Sequence, residues 1–137
     1  MKASRTDLRE KIMIILYQIS IYKKEKLDYD VSLIIKDNYE IESEFINSIV
    51  FGVLEKEDEI DNIINESLNK WSLSRLGETD KAILRLSVYE MKYYNTPNIV
   101  CINEAVELSK KYSDDKVTKM INGVLDSLLE KEDNNEK

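Results

Sequence analysis

The chain has 137 residues, enough to bury a substantial core in one domain, with three glycines, one proline, one cysteine and no histidine. So few turn residues exclude a hairpin-rich β fold. One cysteine excludes an internal disulfide and a thiol-built zinc site, and the lack of histidine removes the commonest general base together with Ser-His and Cys-His dyads. The net charge of −7 argues against nonspecific affinity for nucleic acid, yet it is unevenly spread: residues 1–26 carry +4, residues 27–70 carry −9 and residues 71–137 carry −2. No apolar run reaches the length of a membrane span and no signal-like pattern opens the chain, so a reduced cytoplasm is the expected location.

Taken in chain order, the first helix is predicted from about Ser4 to Tyr22, with Ser4 as N-cap. Leu8, Ile12, Ile15, Leu16, Ile19 and Tyr22 share one face at helical spacing, which reads as core. Met13, Ile14, Tyr17 and Ile21 lie nearly opposite, so this helix is either central or receives a partner on its second face. Arg5 and Arg9 fall one turn apart beside the core face, and Lys2 would extend their line; a solvated basic edge is the simplest reading.

A short helix around 29–38 comes next, then one from about Glu42 to Leu54. The acidic segment beyond it continues as helix, with Ile60, Ile63, Ile64 and Leu68 inward and Glu57, Asp58, Asp61 and Glu66 outward as a solubilising face. Gly77 can take a positive φ, and Glu78 or Thr79 then opens the next helix. That helix, "TDKAILRLSVYEMKYY", is enclosed on most sides by apolar residues, while Lys81, Arg85 and Lys92 form one cationic strip. The strip can pair with acidic helices of the same molecule or meet an external anion. Glu90 falls among apolar neighbours and is expected to be buried and paired.

Pro97 separates this element from a helix near 99–112, and Ser113 or Asp114 caps the last one. There Val117, Met120, Ile121, Val124, Leu125, Leu128 and Leu129 form one apolar stripe. Gly123 lies off that stripe between Lys116 and Lys119, which suggests either a close backbone approach or a tolerated accident. The fold class is therefore all-α, a single domain of about seven helices with a front half (1–76), a back half (77–130) and a frayed polar tail (131–137).

"RLGETDKAILRLSVYEM", "PNIVCINEAVELSKKY" and "KMINGVLD", in this order and spacing, resemble the NusB family of transcription antitermination factors, and "REKIMIILYQ" is similar to the family's N-terminal helix. The resemblance runs from about Arg5 to Leu128 and is weakest across 23–70. It implies two packed three-helix-type subdomains, and binding of boxA-type single-stranded RNA jointly with the ribosomal protein NusE. The complex then joins RNA polymerase and other Nus factors in the elongation complex, chiefly on ribosomal RNA operons. No chemistry, cofactor, metal, membrane or small-molecule substrate is implied. Carried over by position, the RNA surface is Lys2, Arg5 and Arg9 with Lys116, Lys119 and Met120, while Arg85 matches a motif arginine that either contacts RNA or braces the fold. The NusE-facing residues are Tyr17 and Asp80. Thr6 and Asp7 stand where many relatives have arginines, and Met120 where many have an aromatic, which should weaken phosphate contact and base stacking. A second reading is a helical adaptor that docks a partner through helix 1 and has little RNA affinity of its own. An enzymatic role, suggested only by fusion of this fold to RNA methyltransferases, finds no cofactor-binding βα pattern here.

Overall fold

The computed structural model describes residues 3–68 and 71–136 of the chain. Among them are seven α-helices, one 3-10 turn and no strand: α1 Arg5–Lys24, α2 Val31–Asn38, α3 Glu44–Glu55, α4 Glu57–Ser67, the turn Leu73–Arg75, α5 Glu78–Tyr93, α6 Asn98–Tyr112 and α7 Asp115–Glu136.

Caps explain most of the boundaries. Ser4 Oγ accepts from the Asp7 N–H while the Asp7 carboxylate accepts from the Ser4 N–H, a complete capping box that starts α1. Asp30, Ser43 and Asp114 accept from the backbone N–H groups of Leu33, Ile46 and Val117 and start α2, α3 and α7. Lys56 alone separates α3 from α4, so the acidic stretch forms a second helix instead of prolonging the first.

Gly77 does not use its freedom for a positive φ. Its φ is −64° and it serves as the N-cap of α5, because the chain arrives through an extended Leu76 and needs no left-handed turn. Among the described residues the left-handed ones are Lys26 and Asn95, just beyond α1 and α5. Tyr22 departs from expectation: placed in the predicted core, it is exposed and packs on Tyr29 at 6.0 Å. The last helix runs through Glu136, into the segment read as a frayed tail; Glu130, Lys131 and Glu132 are strong helix formers and supply no stop signal.

α5 occupies the centre. It packs against α1, α3 and α4 from the front of the chain and against α6 and α7 from the back, so one continuous core crosses residues 76–77. Ala82, Ile83, Leu84, Leu86 and Val88 are all essentially inaccessible. α1 lies alongside, which accounts for burial of Met13 as well as of its predicted core face. Fully burying one such aliphatic side chain stabilises by roughly 1.5–3 kcal/mol, so this double-sided enclosure of α1 and α5 is the main cohesive contribution. No helix of the described residues is long and apolar enough to cross a membrane.

Candidate nucleic-acid interface

At the start of α1, Arg5 is exposed and its guanidinium lies over the Phe45 ring, 4.0 Å from the centroid. Phe45 projects from α3, is 4% exposed, and meets Tyr94 edge-on at 5.4 Å. A flat cation seated on a fixed aromatic ring keeps its outer face and donors available to a partner.

Arg9, one turn on, is not on a solvated edge. It is 5% exposed, and its Nε and Nη2 donate to Glu90 Oε2 and Oε1 at 2.8 and 2.9 Å. Thr96 donates to the same carboxylate at 2.9 Å, and Glu104 lies 3.8 Å from Nη1. Burial acts against the charge on Arg9, but the Glu90 bonds outweigh it and hold the guanidinium pKa above its ordinary value. The expectation that Glu90 is buried and paired is met: it is 1% exposed.

Arg85 is likewise committed inward. Its Nε and Nη2 donate to the two Asp61 oxygens at 2.8 and 3.0 Å, and Nη1 is 3.4 Å from Glu57. Lys81 pairs with Glu78 at 3.1 Å. Two members of the predicted cationic strip therefore fasten α5 to the acidic face of α4 and to its own first turn, the same-molecule alternative; only Lys92 is exposed. The α4 face read as solubilising thus contributes Glu57 and Asp61 to this joint.

The other predicted cations sit on α7. Lys116 and Lys119 are exposed, and Lys116 Nζ lies 5.4 Å from the centre of the Trp71 ring. A cleft of about 570 Å³ opens between Trp71 and the α7 residues Met120, Gly123 and Ser127. Lys2 lies outside the described residues. Neither aromatic support stands out in the sequence: Phe45 recurs at core spacing with Ile49 and Val53, and Trp71 falls outside any helical stripe.

The Arg5–Phe45 and Lys116–Trp71 contacts are not adjacent. Arg5 stands beside Tyr94, past the C-terminal end of α5, while α7 begins where Ser113 approaches the Asp80 carboxylate at the N-terminal end of α5. A 16-residue helix places these ends roughly 24 Å apart. Asp80 is half-buried; burial first, and then Asp114, push its pKa up against the opposing Ser113 bond. Tyr17 is 39% exposed over a cleft shared with Gln18, Tyr22 and Asn38. Ser20, one turn past Tyr17, reaches Glu78, which puts Tyr17 and Asp80 at the same end of the α1/α5 pair.

Such an arrangement defines a helical binding domain, with charge offered on aromatic supports at two separated points while Arg9 and Arg85 hold helices together. The chain belongs to the NusB family, whose family model matches residues 6–130. It is 40% identical over 144 residues to the transcription antitermination protein NusB of Enterococcus faecalis, covering 95% of this chain and 92% of that one. Among solved structures it resembles NusB of T. maritima, with a TM-score of 0.78 and 31% identity over 93% of this chain and 91% of the other. It also resembles a chain in a complex of the antitermination factors NusB and NusE with double-stranded RNA, with a TM-score of 0.77, 27% identity, and coverage of 90% and 93%.

Proposed function

We propose that this protein is a cytoplasmic transcription antitermination factor that binds boxA-type RNA together with NusE and acts by binding, not by catalysis. Membership of the NusB family across 6–130 carries this reading. The solved relative bound to NusE and RNA supports the choice of partners, with RNA polymerase and other Nus factors as the wider assembly. Within it, Arg5, Lys116 and Lys119 form the phosphate-facing set, Lys2 extends it, and Met120 with Trp71 offers apolar surface to a base. Arg9 and Arg85 serve the site indirectly, by fixing α1 and α4 on α5. Tyr17 and Asp80 are the NusE-facing pair. An extended single strand touching both ends of α5 would reconcile the roughly 24 Å gap with one ligand.

Filter-binding titrations with boxA-like, scrambled and double-stranded RNA, each with and without NusE, test the reading. Preferential retention of the boxA-like strand, strengthened by NusE, is the expected outcome. Equal and negligible retention in every arm leaves the adaptor reading, which the inward commitment of Arg9 and Arg85 favours to that extent.

A further inference from the structure

We propose that the outer face of α2 and α3 is a second docking surface, and that its occupant is a basic amphipathic segment of a partner protein. An opening of about 420 Å³ separates the two helices, with buried Ile35 and half-buried Tyr39 on one side and Phe51 on the other. Its apolar lip is left in water: Ile41, in the connector, is 67% exposed and Phe51 is 45% exposed. Neither residue is needed for the core. The inward side of α3 is already filled by Phe45, Ile46, Ile49, Val50 and Val53, and Phe51 stands on the opposite stripe, one turn after Asn47. An isoleucine and a phenylalanine exposed together around one opening, and framed by polar groups, mark an interaction surface more than they mark solvated loop.

Charge identifies the occupant. Residues 28–55 carry seven carboxylates and a single lysine, Lys36. Glu40 and Glu42 rim the opening against the single cation Lys36, while Asn47 donates to Glu42. Among the described residues neither Glu40 nor Glu42 forms an ion pair, so the rim keeps a net negative charge. RNA is repelled by such a surface. A second copy of this chain would bring the same carboxylates face to face, and a copy-to-copy contact here is disfavoured for that reason. A segment with an apolar stripe to cover Ile41 and Phe51, and with Lys or Arg along its flanks, satisfies both features at once.

The test uses the full chain, isotopically labelled, titrated with a synthetic Leu/Lys peptide that is amphipathic at helical spacing. Controls are a composition-matched scrambled peptide and a Leu/Glu counterpart. Amide shifts confined to about residues 32–55, weakening as salt is raised, are expected for the Leu/Lys peptide alone. Ile41→Ser with Phe51→Ser, both at exposed positions, should weaken binding at least tenfold, and Glu40→Gln with Glu42→Gln several-fold. Shifts centred elsewhere, or equal binding of the scrambled peptide, overturn the proposal without reference to any variant. So does a concentration-dependent dimer that the double serine variant abolishes, since the face would then serve a second copy. Binding of RNA there would also overturn it.

Discussion

Arg5 and Arg9 lie one turn apart, carry the same charge, and have opposite fates. The difference is which side of α1 faces α5. Arg9 points at a carboxylate that would otherwise be buried without compensation, and breaking a buried pair by removing one partner costs about 3–5 kcal/mol. Arg9→Ala should therefore lower the melting temperature on the order of 10 °C, whereas Arg5→Ala should leave it nearly unchanged and weaken RNA binding. Replacing both Arg9 and Glu90 with methionine should recover most of the loss, because no charge is then stranded. Thermal melts and RNA titrations of the same three variants separate the roles; a harmless Arg9→Ala would contradict the buried pair. A second residue works against the fold. Burial raises the Asp80 pKa above its ordinary 3.8, so on raising the pH the unfolded chain releases this proton before the folded one. The contribution to stability is then lost as pH climbs through the ordinary value to the raised one. Asp80→Asn should accordingly be more stable than the parent at pH 7, with the advantage vanishing below about pH 3.8. The same variant should bind NusE less well, and an unchanged complex would remove Asp80 from that surface.

At the level of helices, the two mid-helix glycines differ. A Cβ at Gly123 meets nothing within 4 Å, which fits the tolerated accident and not a close approach within the chain. A Cβ at Gly52, on α3, would run into the Tyr89 ring of α5. Gly123→Ala should therefore stabilise by about 0.5–1 kcal/mol through helix propensity. Gly52→Ala should destabilise by about 1–3 kcal/mol despite the same propensity gain, since α3 and α5 must separate or Tyr89 must leave its place. Urea unfolding of both variants measures this, and Tyr89→Leu should rescue Gly52→Ala but do nothing for Gly123→Ala. If Gly123→Ala proves stabilising yet weakens RNA binding, the glycine serves the ligand beside Lys116. Periodicity and caps made the helices legible: the stripes of α1 and α7, the Ser4 cap and the Pro97 break all stand in the sequence and in the structure. Close approach between two helices was not legible, because it depends on which faces meet, and no single-helix pattern contains that. The partners of Arg9 and Arg85 were hidden for the same reason, being 81 and 24 residues away along the chain.

Across the whole molecule the question is how a chain of net charge −7 would hold the polyanion proposed for it. The structure narrows the answer by removing cations from the count. Of the seven residues first assigned to the RNA surface, six are described; Arg9 and Arg85 are locked on carboxylates and Met120 is uncharged, which leaves Arg5, Lys116 and Lys119 exposed. Each phosphate contact to a single strand contributes about −0.7 to the slope of log affinity against log salt. Three contacts then give a slope of about −2, and a fourth from Lys2 about −3. The acidic surface around residues 28–66 adds repulsion that salt also screens, which flattens the slope further. The chain alone, titrated with boxA-like RNA between low and physiological salt, should therefore show weak binding of shallow salt dependence. NusE should raise the affinity through added contacts on its own surface. A slope near −4 or steeper for the isolated chain would mean that cations beyond this set reach phosphate, and its persistence in an Arg75→Gln, Lys92→Gln, Lys110→Gln variant would mean that Arg9 and Arg85 leave their carboxylates.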